Sequence, residues 1–149
     1  STTKIAYIKD EKASGVEGGN FTAGSFVTRQ LNTLSGDISF ISLLSNQFTL
    51  SPGKYSIYST APGYSVGNTT SKLRNITDST DDIIGSASES PGAGAPTVYS
   101  ILTGEISITS SKTFEIQHSY ESDRCICIPV NLKYFSYHNI LKEFYQTSI

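Results

Sequence analysis

The residues able to do chemistry are few and scattered. His118 alternates with Phe114 and Ile116, so it shares their face and reads as a hydrogen-bonded core or interface histidine rather than a catalytic one. No nucleophile–base pair accompanies it. Cys125-x-Cys127 could be drawn with His118 or His138 as a zinc site, but a lone C-x-C lacks the second ligand pair that zinc spacing needs. Buried free thiols are the favoured reading, since two strand cysteines two apart point the same way and are badly set for a mutual disulfide. Asp78, Asp81 and Asp82 carry the charge of a hard-cation cluster without the ligand order or the distant bidentate glutamate of a calcium loop, which favours a solvated turn. Asp10, Glu11 and Glu121 could be cast as the paired carboxylates of a glycan-cleaving enzyme, a chemistry that depends on a separation no sequence measures. Arg29 and Arg74 alternate with apolar neighbours, and a structural ion pair is favoured over a ligand contact for each. For binding, exposed aromatics offer large area with few rotatable bonds, which makes Tyr58, Tyr64, Tyr99 and Tyr120 candidates, some of them owed to the core or to a subunit interface.

The elements that must position these groups are strands. The 149 residues are 37% hydrophobic, enough for one domain with one sizeable core, and they include 9 tyrosines and 7 phenylalanines with neither methionine nor tryptophan. That profile, rich also in glycine, serine and threonine, is all-β and turn-rich. A net charge of −2 with only 16% charged residues gives no basic field for phosphate, so nucleic acid is not an expected partner. No run of about 18 apolar residues occurs and Ser1-Thr2-Thr3-Lys4 is no signal region, so no membrane insertion is expected and the chain reads as a fragment or a processed product. Sequons at Asn20, Asn68 and Asn75 are of a kind that Ser/Thr/Asn-rich sequences produce by chance.

Along the chain, Phe48 and Leu50, then Pro52-Gly53, then Tyr55, Ile57, Ser59 and Ala61 read as strand, tight turn, strand: a hairpin whose apolar face other segments must cover. Further strands are expected over Lys4–Lys9, 26–33, 37–44, 71–76, 83–86, 97–102, 105–108 and 113–118, with a turn at Thr103-Gly104. Residues 88–96 read as a surface loop inside the domain. In the tail, Ile126, Ile128, Val130 and Leu132 alternate as in a strand, while Ile140, Leu141, Phe144 and Tyr145 fall at helical spacing and leave a strand or a short helix open. About ten short strands predict a two-sheet sandwich, with jelly-roll, immunoglobulin-like and barrel versions all open to the pattern.

A set of ordered motifs narrows the choice. Ala6-x-Ile8-x-Asp10-Glu11-Lys12, Gly18-Gly19-x-Phe21-x-x-Gly24, Thr28-Arg29-Gln30-Leu31-Asn32-Thr33, Asn46-Gln47-Phe48-Thr49-Leu50-x-x-Gly53-x-Tyr55, Ser59-x-Ala61-Pro62, Lys72-Leu73-Arg74-Asn75-Ile76-Thr77 and Phe114-Glu115-Ile116-Gln117-His118 follow one another over about residues 4 to 120. In this order they resemble the receptor-binding head domains of bacteriophage and large-virus fibre proteins, which belong with the tumour-necrosis-factor and complement-head jelly rolls. Residues 121–149 depart from that pattern, so the resemblance requires either Ile126 to Leu132 or Ile140 to Tyr145 to supply the closing strand.

What the resemblance implies is an all-β, two-sheet antiparallel jelly-roll sandwich spanning 1–149 as a single domain, assembled as a homotrimer on an upstream fibre or stalk. It implies adhesion and no enzyme activity: a virion-surface or extracellular head contacting a host surface receptor or glycan, with no catalytic residues, metal or cofactor. The contact would run through loops at 10–19, 64–70, 78–82 and 89–96, with Tyr64, Asn68, Asp78, Asp81, Asp82, Glu89, Tyr99 and Tyr120 as candidate ligand-binding residues. The alternatives are a structural trimerisation or capsid-decoration module without receptor contact and, less favoured, a glycan depolymerase.

Overall fold

The computed structural model describes residues 3–14, 16, 22–64, 67–90, 97–120 and 142–147. The described residues form twelve strands and no helix: β1 (Lys4–Lys9), β2 (Val27–Thr28), β3 (Thr33–Gly36), β4 (Ile41–Leu44), β5 (Gln47–Leu50), β6 (Gly53–Tyr64), β7 (Gly67–Asn75), β8 (Thr80–Ile84), β9 (Ser88–Ser90), β10 (Thr97–Ile108), β11 (Lys112–Tyr120) and β12 (Lys142–Thr147). One sheet has the order β10-β6-β12-β1-β3. The other has the order β4-β5-β11-β7-β8, with β2 paired to β11 and β9 to β7. All pairings are antiparallel.

Period-2 alternation builds the core. On β11, Phe114, Ile116, His118 and Tyr120 turn inward, and on β6 Tyr55, Ile57, Ser59 and Ala61 do the same. Phe48, Leu50 and Leu73 from one sheet meet Ala6, Ile8 and Leu102 from the other, all at 0% exposure. The Phe48 and Phe114 rings stack at 5.8 Å across β5 and β11, and Phe40 leans on Tyr55 at 5.7 Å.

The segment around Pro52-Gly53 is not a hairpin. β5 pairs with β4 and β11, whereas β6 pairs with β10 and β12, so the chain turns a corner there from one sheet into the other. Both apolar faces still point between the sheets, as the alternation requires. The corner is held by Ser51, whose backbone N–H and hydroxyl both donate to the Phe40 carbonyl, at 3.0 and 2.9 Å, and by the Tyr55 hydroxyl, which donates to the Ser51 carbonyl at 2.6 Å. The tight hairpin lies just upstream, where Ser45 and Asn46 both take positive φ (50° and 66°) between the Leu44↔Gln47 pair.

Other expected boundaries also move. Residues 26–33 divide between two sheets, β2 pairing with β11 and β3 with β1. Only 41–44 of 37–44 are strand, and residues 88–90 of the expected loop pair with β7. Residues 97–108 run as one strand through Thr103-Gly104 without a turn. A Cβ on Gly104 would stand 3.0 Å from Ile83 Cδ1, so glycine is there to admit a side chain of the facing sheet. In the tail, β12 settles the open choice as strand and closes the five-stranded sheet between β1 and β6. Ile126 to Leu132 and both cysteines lie outside the described residues.

Leu73→Ala should cost about 2–5 kcal/mol of unfolding free energy because it empties a closed site, whereas Leu44→Ala, at a position 79% exposed, should stay within about 0.5 kcal/mol. Urea denaturation of the two variants checks the assignment of core and surface.

Candidate functional site

The acidic turn after β7 is organised by one buried amide. Asn75, 2% exposed, donates through Nδ2 to Asp78 Oδ2 and to Asp82 Oδ2, each at 3.0 Å, and its Oδ1 accepts the Asp78 backbone N–H at 2.9 Å. Ser79 takes φ 57°, which brings the chain around into β8. Asp78 Oδ1 reaches Lys112 Nζ at 2.9 Å, and Asp81 receives Lys72 and Arg74, each at 3.0 Å. Arg74 thus makes the ion pair expected of it. Lys112, by hydrogen bond and charge, holds the Asp78 carboxyl below the usual value against desolvation, with Asn75 adding to it. Burial opposes ionisation of Asp81, but Lys72 and Arg74 together outweigh it and keep that carboxyl low as well.

Asn75, Asp78, Asp81, Asp82 and Lys112 line an open groove with Ile106 and Ile108 from the end of β10. Anchored carboxylates beside an apolar wall can accept hydrogen bonds from hydroxyl or amide donors while a nonpolar face packs alongside. Among the described residues, no group of three or more His, Cys, Asp or Glu is arranged to hold a metal ion.

The remaining candidates lie elsewhere. Asn68 and Glu89 are directly opposed across β7 and β9, and both are exposed. They stand seven residues along β7 from Asn75, about 23 Å at the rise of a strand, so the fold separates them from the acidic turn. Tyr64 ends β6, opposite Thr97. Tyr99 is 52% exposed on the outward face of the five-stranded sheet. Tyr120 is not available as an exposed stacking surface: it is 3% exposed, and its hydroxyl receives Arg29 Nη1 at 2.9 Å. Asp10, 1% exposed, is enclosed by Lys12 Nζ at 2.5 Å and Asn32 Nδ2 at 3.0 Å, while Glu11 meets Lys9 at 3.3 Å; Glu121 lies outside the described residues. Such engagement leaves Asp10 poorly placed as a glycosidic acid. Of the sequon asparagines, Asn75 is buried with its amide committed, Asn68 is exposed, and Asn20 lies outside the described residues.

Sequence reasoning missed Ile101. It is 42% exposed, two residues from Tyr99 on β10 and diagonal to Tyr58, which is 38% exposed and pairs with Thr103. Alternation with buried Ser100 and Leu102 would have placed it outward. Among the described residues, no helix is long and apolar enough to cross a membrane.

The lowered carboxyls fix a sign. Their contribution to stability is present above the unfolded carboxylate value and is lost as pH falls through the lower folded values. Lys112→Gln should therefore lower the unfolding midpoint slightly near pH 7, with its curve converging on that of the parent chain toward about pH 2, as a thermal-melt series across pH will check.

No family model matches the chain, and no curated protein matches it by sequence. Solved structures do match. Crystal structures of murine APRIL at pH 8.0 and pH 5.0 superpose with a TM-score of 0.58 at 8% and 9% identity, each covering 98% of this chain and 100% of the other. A third, at pH 8.5, gives 0.56 at 8% identity over the same shares. Likeness at this identity speaks for fold alone, and together with the strand order it makes the architecture a tumour-necrosis-factor-like antiparallel jelly roll.

Proposed function

We propose that this chain is the head domain of a viral fibre or spike, a homotrimer carried on an upstream stalk at the virion surface that attaches to a host surface receptor or glycan. The observation that carries the reading is on the outward face of the five-stranded sheet, which exposes Tyr58, Tyr99 and Ile101 in adjoining positions of β6 and β10. The other sheet exposes Leu44, Phe26 and Ile84 on three different segments. On the other sheet, Lys72 and Arg74 bind Asp81, while Glu115 accepts from Thr28, Gln47 and Gln117. Aromatic and branched apolar side chains in a row suit a subunit interface, and a satisfied polar ladder suits solvent. The first face is where copies of this chain would meet. Ligand would then be met at the acidic groove of Asp78, Asp81 and Asp82, at the Asn68–Glu89 end of β7, or at Tyr64. The ordered motifs over residues 4 to 120 supply the viral part of the reading.

A second reading, a structural trimerisation or capsid-decoration module, draws support from the acidic turn itself. Asp78 and Asp81 already have internal cations, as a scaffold turn would. The isolated domain separates the two readings: a receptor-binding head competes with virus for cell attachment, and a decoration module does not.

Light scattering at micromolar concentration should return three times the 16.1 kDa chain mass, and Ile101→Glu should reduce it to that of the single chain. A strictly monomeric parent chain would defeat the trimer.

A further inference from the structure

One row of charge crosses three strands on the outward face of the seven-stranded sheet. Glu115 of β11 stands directly opposite Arg74 of β7, and Arg74 stands directly opposite Asp81 of β8. The second pairing exists because β8 carries an extra residue: the register passes from Leu73↔Ile83 to Arg74↔Asp81, so Asp82 bulges out of the ladder. Without the bulge Asp82 would face Arg74. With it, Asp82 is left to meet Asn75 Nδ2 at 3.0 Å and Asp81 is aimed into the row. Arg74 thus stands between two carboxylates.

The two carboxylates are served unequally. Asp81, on the groove side, has two cations, Arg74 Nη1 on Oδ1 and Lys72 Nζ on Oδ2, each at 3.0 Å. Glu115 is 7% exposed, and among the described residues its partners are all neutral: Thr28 Oγ1 at 2.9 Å and Gln117 Nε2 at 2.6 Å donate to Oε1, and Gln47 Nε2 at 3.1 Å donates to Oε2. Oε2 keeps acceptor capacity for a further N–H, and the Arg74 fork has donors beyond the one on Asp81. Directly opposed β-carbons lie about 5 Å apart, within reach of an arginine stem. Lys72 is placed differently, facing Gln117 in the ladder with its ammonium 4.1 Å from the centre of the Phe26 ring. Glu115 also fastens strands. β5 covers Lys112 to Phe114 of β11 and β2 covers Gln117 and His118, and Gln47 and Thr28 from those two strands meet on its carboxylate across the gap.

Opposing terms set the choice between the two seats. Attraction to Glu115 is weakly screened, because that carboxylate is closed to water and has neutral dipoles alone for company. Asp81 is 34% exposed on its side chain, so the guanidinium keeps its water there, whereas at Glu115 it must shed some. Loss of the Asp81 charge removes what holds Arg74 on the groove side. We propose that Arg74 is a two-position side chain, seated at Asp81 while that carboxylate is charged and unclaimed, and moving to Glu115 when the Asp81 charge is removed or taken up by another cation. Both seats lie opposite the same residue, so the move needs side-chain rotation and no change of register. It carries a change of charge at the acidic groove across β7 to the point where β2 and β5 are fastened to β11.

Asp81→Ala removes the first seat and leaves the second intact, on a strand at the edge of its sheet. A crystal structure of that variant should show the Arg74 guanidinium within hydrogen-bond distance of Glu115 Oε2. A guanidinium still directed toward position 81, or turned out to solvent, overturns the proposal. A double-mutant cycle on urea unfolding reads the same move in solution. The coupling between Arg74→Gln and Glu115→Gln, expressed as a ratio of unfolding constants, should be no more than about twofold in the parent chain and about fivefold or more in the Asp81→Ala chain. A coupling that does not rise between the two backgrounds overturns the switch.

Discussion

The fold depends on filling one slot. β1 pairs with β3 on one side and β6 with β10 on the other, and among the described residues only β12 joins these two pairs into a sheet. Without it, two ribbons would each present an open edge and too little apolar area to stand in water. The inward residues of both ribbons, Ala6 and Ile8 on β1 and Tyr55, Ile57 and Ala61 on β6, share a single cover in Phe48, Leu50, Leu73, Phe114 and Ile116. Register across the slot, with Ile5 opposite Tyr145 and Ile57 opposite Phe144, links segments more than eighty residues apart in sequence. Loop closure on that scale has to be met before the core rewards it.

Once the slot is filled, the two outward faces take on different work. One presents Tyr58, Tyr99 and Ile101 in adjoining positions; the other carries ion pairs and side-chain hydrogen bonds, with Lys72 over the Phe26 ring at 4.1 Å and Leu44 and Ile84 exposed on separate strands. The ends of the sandwich differ too. At one end Asn75 organises carboxylates around an open groove, and at the other His118 and Tyr120 sit sealed beneath the Pro62 strand. Polar side chains are therefore gathered in an exposed charged groove and in a buried hydrogen-bonded cluster, with β7 running from one to the other.

Much of this was legible in the residues, because alternation reports which face a side chain takes. Phe48, Leu50, Tyr55, Ile57, Phe114, Ile116 and His118 all point where the period-2 pattern puts them. The same pattern implied that Tyr120, two beyond His118, would be buried. Alternation does not report which strand is the neighbour, so the corner at Pro52-Gly53 read as a hairpin. Gly104 read as a turn because the Ile83 side chain that needs the space comes from a distant segment of the other sheet. For residues 140–145 helical and strand spacing were both present, and the vacancy between β1 and β6, a tertiary fact, decided between them. The acidic turn was legible as a turn, but its Lys112 partner, 34 residues from Asp78, was not.

Copies of this chain are proposed to meet through the outward face of the five-stranded sheet. Hydroxyl-radical footprinting read residue by residue over a dilution series tests it most directly. Tyr58, Tyr99 and Ile101 should become protected together as concentration rises, while Ile84 on the other sheet stays reactive. Equal reactivity of the three at every concentration, or protection confined to the other sheet, would contradict it.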